Sequence, residues 1–370
     1  MANTNPLETM QIKTLIGFKH IAPGVLTGDV ITALKQCGIS DVTGVTASGS
    51  VFSTGEINVL GNTFHGLKID TDSGKIIGSL VLFSWAASDL ASHPVQAGVR
   101  LTQSGYAGNA GTLSLMMLYR KASNSSVDFT PVIAFQGEDS SLYWEIVVSA
   151  VKKSASVFSV SADVYVNKQP VNRCVVSVGA NETISLRFGP YASTKVTHPI
   201  SLVMGDIYTA ELDYNSNGTV TPQLLGNLAL EPFTVASYTG DKHTNTKNQD
   251  IVTALNTLDP NNDLGVLAIK PVEQPATVTF NTPDITGKTI LGAALNIVYK
   301  DSIAPNNRLS YQITEGTTQL PAETITERNA DITGYTTYTR LLTAPANGGD
   351  WNAENLKFKL DMFNRGADAE

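Results

Sequence analysis

Apolar and polar positions alternate with a period of two through much of the chain. The clearest case is "SVFSVSADVYV". There Val157, Ser159, Ser161, Asp163 and Tyr165 fall on one face of an extended chain, and Phe158, Val160, Ala162, Val164 and Val166 on the other. A strand with one apolar and one polar face covers a core on one side only. From residue 40 to about 230 short segments of this kind follow one another: "GEINVLG", "GLKIDTD", "IIGSLVLFSWAAS", "AGVRLTQ", "LYWEIVVSAV", "NRCVVSVG", "TISLRFG" and "IYTAELD". They are rich in β-branched and aromatic residues, and Gly, Asn, Asp or Ser separates most of them. Many short strands at this spacing predict an all-β chain of antiparallel β-sandwich or jelly-roll domains in series.

Two stretches break the rhythm. In "TGDVITALKQCG", Thr27 or Asp29 can cap a short helix whose face carries Val30, Ala33 and Leu34, with Gly38 as its stop. Residues 236–262 are polar and contain a second short helical pattern, "NQDIVTALNTL", before strands resume at "GVLAIK". The expected organisation is an N-terminal docking segment (1–39), a β-sandwich domain (40–235, one domain or two sub-modules), a linker (236–262) and a C-terminal jelly-roll domain (263–370).

The docking expectation rests on Leu15, Ile16, Phe18, Ile21, Val25 and Leu26, six apolar side chains within a dozen residues. Pro23-Gly24 interrupts them, so they cannot form one long amphipathic element. A soluble monomer rarely leaves such a patch open. The segment therefore docks on a partner or covers the first sandwich of its own chain, and both readings stand at this point.

Composition narrows the function classes. Of 370 residues 42% are hydrophobic, which is ample for a core, and only 16% are charged. A typical domain has ~25% charged residues. Ser, Thr, Asn and Gly replace the missing charge, which suits β surfaces and protein contacts. The formal charge of −8, with no Lys/Arg cluster, argues against nucleic acid as a partner. No signal peptide pattern and no run of ~18 apolar residues is present, so no membrane partner is expected. Cys37 and Cys174 stand far apart and outside any CxxC pair, and two buried free thiols are expected.

Patterns that carry chemistry are weak. Gly287-Lys288-Thr289 imitates the end of a phosphate-binding loop, but Thr282 stands where the motif needs glycine, and a strand pattern follows where it needs a helix. The five histidines form no HxH or HExxH set, and no GxSxG elbow occurs. "DYNSNGTVTPQL" has EF-hand-like spacing, yet its twelfth position is Leu224 where a bidentate Glu is required, and Asn217-Gly218 is a hairpin signal. "DPNNDLG" likewise lacks the closing acid. No catalytic residue, cofactor or metal is expected. Trp85 is assigned to core packing, whereas Tyr143 and Trp144 are candidate surface contacts for a ligand such as a host glycan.

The last hundred residues are the most specific. Tyr335 and Tyr338, Pro345, Gly348-Gly349, Trp351 at the start of a short turn capped by Asp350, and a strand from Leu356 to Phe363 follow in that order. This arrangement resembles a C-terminal jelly-roll module of tailed-bacteriophage virion structural proteins. The resemblance implies a non-enzymatic virion component, of the head surface, neck or collar, or tail. Its partners are then other virion proteins and copies of itself, and its location is the virion. The alternative is a carbohydrate- or receptor-binding adhesin of the tail-fibre or baseplate type.

Overall fold

A computed structural model describes residues 5–39, 42–46, 49–76, 78–105, 113–121, 127–135, 139–180, 182–188, 195–240, 244–245, 250–256, 258–259, 267–269, 274–299, 308–325 and 336–365. The chain is all-β, as expected, with three short α-helices among the described residues. It divides into two compact units: residues 1–18, 23–35 and 39–230 in one, and 19–22, 36–38 and 231–370 in the other. The stretch expected to be a linker holds β-structure and a helix of the second unit, described below.

The first unit runs β1 (Gln11–Ile16), β2 (Gly24–Val25), α1 (Val30–Gln36, whose last residue falls to the other unit), β3 (Val42–Thr46), β4 (Ser50–Val59), β5 (Asn62–Thr71), β6 (Ser79–Ala86), α2 (Ala87–Ser92), β7 (Val95–Ser104), β8 (Leu113–Lys121), β9 (Val127–Phe135), β10 (Ser140–Lys152), β11 (Val157–Val166), β12 (Gln169–Gly179), β13 (Thr183–Phe188) and β14 (Ile200–Glu211). A nine-stranded antiparallel sheet is ordered β12-β11-β10-β7-β14-β5-β4-β2, with β1 also on β14; a second sheet is β3-β6-β13-β8-β9. The alternation sorts as its chemistry requires: Phe158, Val160, Ala162 and Val164 are buried with Ile146, Val148 and Val99 in the core. Asp29 caps α1, accepting from Ile31 N (3.3 Å) and Thr32 N (3.2 Å).

β14 has two halves. Its first half pairs β5, its second half pairs β1, and the register against β7 shifts between Gly205 and Tyr208. Asp206 sits at this bulge with φ of 47°. The bulge matters for the site described next, because it sets Gly205 opposite Arg100 and, three residues on, Tyr208 opposite Gly98, two residues back on β7.

The second unit contains β15 (Thr234–Thr239), β16 (Thr244–Asn245), α3 (Ile251–Asn256), β17 (Leu267–Ala268), β18 (Ala276–Asn281), β19 (Ala293–Tyr299), β20 (Arg308–Glu315), β21 (Thr318–Gln319), β22 (Glu323–Thr324), β23 (Thr336–Leu342) and β24 (Phe358–Arg365). One sheet is β15-β18-β24-β20-β21 with β22 on β20, and β19 pairs β23. Ile297, Tyr311, Ile313, Ile325 and Leu360 form its buried centre.

Within the C-terminal module Tyr335 lies outside the described residues, while Tyr338 is on β23. Gly348 N donates to Pro345 O (2.9 Å), closing the turn there. The short turn after Trp351 is capped by Asn352, not Asp350: Asn352 Oδ1 accepts from Glu354 N (2.9 Å) and Asn355 N (3.1 Å). The Asp350 carbonyl instead accepts from Asn355 Nδ2 (3.0 Å).

Candidate functional site

On β7 the alternating residues Gln96, Gly98 and Arg100 share one face of the nine-stranded sheet. The antiparallel register sets Glu145 opposite Gly98 and Tyr143 opposite Arg100 on β10, and Tyr208 opposite Gly98 on β14. Glu145, Gly98 and Tyr208 thus form one row. A side chain at position 98 would overlap the Tyr208 ring and come within 2.7 Å of Tyr143 Oη, so only glycine lets the two tyrosines converge here.

The row is a closed hydrogen-bond network. Tyr208 Oη donates to Glu145 Oε1 (2.6 Å) and accepts from Gln96 Nε2 (2.5 Å). Tyr143 Oη donates to the Asp206 carbonyl (3.0 Å). Arg100 Nε donates to Asp206 Oδ2 (2.9 Å), and the guanidinium lies 5.4 Å from the Tyr143 ring centre and 5.8 Å from that of Phe64.

Residues 213–230 cover this face. They form no regular element beyond a bridge between Tyr214 and Val220, so their backbone groups need other partners. The sheet supplies them. Glu145 accepts from Leu225 N (2.7 Å, Oε1) and Gly226 N (2.9 Å, Oε2). Gln96 accepts from Gln223 N (2.9 Å) and donates to Gln223 O (3.0 Å). Arg100 Nη2 donates to Leu228 O (2.6 Å) and Asn227 Oδ1 (2.8 Å), and Asp206 Oδ1 accepts from Leu230 N (3.0 Å). The segment is a strap, bound to the sheet much as a peptide ligand would be.

Electrostatics follows from this enclosure. Glu145 is 1% exposed. Burial pushes its carboxyl above the usual range, outweighing Tyr208, the two strap N–H groups and Lys168, all of which favour the anion. Burial, and then the neighbouring Glu145 charge, hold the Tyr143 and Tyr208 hydroxyls well above the ordinary phenol value. Both phenols are therefore protonated at neutral pH. They act as donors, not bases.

The second unit has a smaller cluster with similar chemistry. Tyr311 Oη on β20 donates to Glu323 Oε2 on β22, and Tyr338 Oη on β23 donates to the same oxygen (3.2 Å). The two phenol oxygens are 3.0 Å apart, and Arg340 pairs with Glu323 Oε1. Burial first, then Tyr338, raise the Tyr311 hydroxyl, while Arg340 opposes the shift.

The residues singled out from sequence are placed differently from expectation. Tyr143 and Trp144 are buried and offer no surface to a ligand: Trp144 lies on the core face beside Val99, and Tyr143 shares the strap-covered face with Glu145. Trp144 Nε1 has no partner among the described residues. Of the six candidate docking side chains, Ile16, Phe18, Ile21 and Leu26 are buried in the chain's own units, Leu15 is half-buried and only Val25 is exposed. For Leu15 and Ile16 the reason is the free half-edge of β14, which β1 fills with Leu15 opposite Tyr208 and Ile16 opposite Ile207. Trp85 is half-buried and stacks on Phe83, with ring centres 6.2 Å apart. Cys37 is buried, its thiol pushed up to about 12 by burial, but Cys174, expected buried, is half-buried on the edge strand β12.

The motif look-alikes also resolve. Gly287-Lys288-Thr289 is a turn closed by Lys288 N on Ile285 O (3.0 Å), followed by extended chain, and Lys288 Nζ pairs with Glu231 (3.0 Å). At Asn217-Gly218 the chain turns back: Asn215 N donates to Thr219 O (2.8 Å), and Asn217 Oδ1 accepts from Thr219 N (3.1 Å). Most of "DPNNDLG" lies outside the described residues.

Gln96, Arg100, Glu145, Asp206 and Tyr208 were not singled out from sequence. A charged residue inside the apolar run "LYWEIVVSAV" was the one available signal. A buried Glu needs partners, but their source, a loop some eighty residues on, is invisible locally.

No family model matches the chain, and no curated protein matches it. Among solved structures, the alginate lyase Aly36B, as a mutant in complex with an alginate trisaccharide, aligns over 55% of this chain and 99% of its own, with 8% identity and a TM-score of 0.35. The CBM22-1 xylan-binding domain of Paenibacillus barcinonensis Xyn10C aligns over 56% and 98%, with 11% identity and a TM-score of 0.29. A conserved carbohydrate esterase from the Shiga toxin-encoding bacteriophage phi24B aligns over 54% and 99%, with 14% identity and a TM-score of 0.25. Likeness at this level says nothing of what this chain binds or does.

Proposed function

We propose that the chain is a non-enzymatic structural component of a bacteriophage virion, a head-surface, neck or tail protein that acts through protein–protein assembly. One observation carries the non-enzymatic part. Of the side chains that chemistry would draw on, Gln96, Arg100, Glu145 and Asp206 are engaged by the chain's own strap, and Tyr208 is bonded to Glu145 and Gln96. A general acid or base must reach a substrate proton, and among the described residues Glu145 reaches only Tyr208 and two backbone N–H groups. The virion part is supported by the resemblance of the C-terminal module. Density-gradient centrifugation of particles of the phage that encodes the chain, probed with an antibody against it, tests the proposal: it should band with intact virions. Recovery only from the soluble lysate fraction would refute the virion role.

A second reading, a glycan- or receptor-binding module, has one feature in its favour. The face under the strap combines carboxylate, amide, guanidinium and phenol groups, a set suited to a polyhydroxylated ligand, but it is occupied. A glycan array with the full chain separates the readings. Specific binding would favour the adhesin, and its absence the assembly role alone.

A further inference from the structure

The chain has two Asn-Gly pairs, one in each unit, and both stand in the same local geometry. Asn217 and Asn347 are exposed, and each takes the third place of a β-turn. In each turn the glycine N–H closes on the carbonyl three residues back: Gly218 N donates to Asn215 O (2.8 Å), and Gly348 N to Pro345 O (2.9 Å). The two glycines have φ of 75° and 73°, so the backbone after each asparagine is matched as well.

An Asn-Gly pair can react with itself, because glycine has no side chain to hinder the approach. The glycine N, on losing its proton, attacks the asparagine Cγ. The N–Cγ bond forms, the Cγ–Nδ2 bond breaks, and ammonia leaves a cyclic imide. Water then opens the ring at one carbonyl or the other, giving aspartate or isoaspartate, and nothing is oxidised or reduced. The glycine N–H must first leave its acceptor in the turn. The rate therefore follows how readily each turn opens.

The two turns differ there. Asn217 Oδ1 accepts from Thr219 N (3.1 Å) and Thr219 Oγ1 (2.7 Å). Asn215 ties the same turn from its other side, donating from N to Thr219 O (2.8 Å) and from Nδ2 to Thr221 Oγ1 (2.9 Å). At the second site Gly349 stands where Thr219 stands at the first, so no hydroxyl is offered. The Asn347 side chain makes no hydrogen bond among the described residues. Besides its closing bond, this turn is tied through Ala346 N, which donates to Glu315 Oε1 (2.9 Å) and Oε2 (3.1 Å).

We propose that Asn347 is a site of spontaneous conversion to aspartate or isoaspartate in the folded protein, and that the fold shields Asn217 from the same reaction. The product would place a new carboxylate one residue from Ala346, whose acceptor Glu315 is itself a carboxylate and only 4% exposed. Isoaspartate would also lengthen the backbone of the turn. This modification stands or falls separately from the virion reading. The test ages the full chain in mildly alkaline buffer and follows both sites by mass spectrometry of its peptides, with isoaspartyl methyltransferase labelling to count isoaspartate. Asn347 should convert at least about tenfold faster than Asn217, the ratio that a difference of one or two hydrogen bonds in the opening step would give. In guanidinium chloride both turns are lost, and the two rates should come together. T219G gives the first site the Asn-Gly-Gly sequence of the second and should speed conversion at Asn217. An Asn347 that stays intact in the folded chain, an Asn217 that converts as fast, a ratio that survives in guanidinium chloride, or a T219G chain with Asn217 no faster would each overturn the proposal.

Discussion

Two carboxylates, Glu145 and Glu323, each accept from tyrosine, yet they do different work. Glu145 is fully buried, and two of its donors are backbone N–H groups of an irregular segment. Glu323 is half-buried, and its donors are the side chains of Tyr311, Tyr338 and Arg340. The first replaces a missing strand, giving the strap the hydrogen bonds that a ladder would give. The second joins β20 and β22 to β23, elements that already have ladder partners. A carboxylate that completes backbone pairing should matter more than one that links side chains, because an orphaned buried N–H has no alternative partner.

The largest expected effect is therefore at Glu145. Glu145→Ala leaves Leu225 N, Gly226 N and the Tyr208 hydroxyl without an acceptor, and should cost about 3 kcal/mol. Urea unfolding followed by circular dichroism measures it. A loss below about 1 kcal/mol would mean that the strap finds its hydrogen bonds elsewhere and that the contrast with Glu323 is unfounded.

The same group gives a pH signature. Its folded pKa lies above the ordinary Glu value because burial outweighs its donors. The folded state then binds the proton more tightly than the unfolded state. The resulting stabilisation is fully present below the unfolded pKa and is lost as pH rises through the folded one. Glu145→Gln has no such proton. The stability of wild type relative to Glu145→Gln should therefore increase as pH falls from neutral toward the ordinary Glu range. Taking the difference removes other carboxylates such as Asp29, whose pKa is lowered by its bond to Thr32. A difference that stays flat with pH would contradict the assigned shift.

In the second unit, Tyr311→Phe removes one donor from Glu323 but leaves Tyr338 and Arg340 in place. The expected loss is about 1 kcal/mol, typical of a single hydrogen bond. A loss equal to that of Glu145→Ala would show that side-chain networks and backbone completion weigh the same here.

The contrast also shows what could be read from the chain alone. The alternation in residues 157–166 sorted core from surface because a strand has only two faces and one was apolar. The strap could not be read so. "NSNGTVTPQLLGNLALEP" has no period, and a segment bound by side chains needs none. Tyr143 and Trp144 suggested surface contacts because nothing near them in sequence reveals that the strap covers one face of β10. The N-terminal apolar residues pointed first to a partner, with the chain's own first sandwich as the other reading. What places Leu15 and Ile16 is the half-edge of β14 that β1 fills, and such an edge is not encoded in a hydrophobic pattern. Helix α2 was missed for a different reason. Its six residues follow Ala86, which makes no side-chain cap bond, so neither length nor cap announced it.

A third carboxylate marks the lower limit of the comparison. Among the described residues Glu231 is held only by ion pairs, to Lys19 (2.7 Å) and Lys288 (3.0 Å). Partial burial raises its pKa, but the two lysines together outweigh this and bring it below the ordinary value. Among the described residues no backbone group depends on Glu231 in the way that Leu225 and Gly226 depend on Glu145. Lys288 is well exposed, and an exposed pair loses in side-chain freedom and solvation much of what it gains in attraction. Lys288→Ala should cost only a few tenths of a kcal/mol, since Lys19 remains. That small loss should shrink further in 1 M salt, where charges are screened beyond about 3 Å, whereas the loss in Glu145→Ala should persist because its donors are buried. Thermal melts of both variants at low and high salt make the comparison. If Lys288→Ala proved costly and insensitive to salt, the pair would be a buried structural link, and burial would no longer separate the carboxylates that hold this fold from those that decorate it.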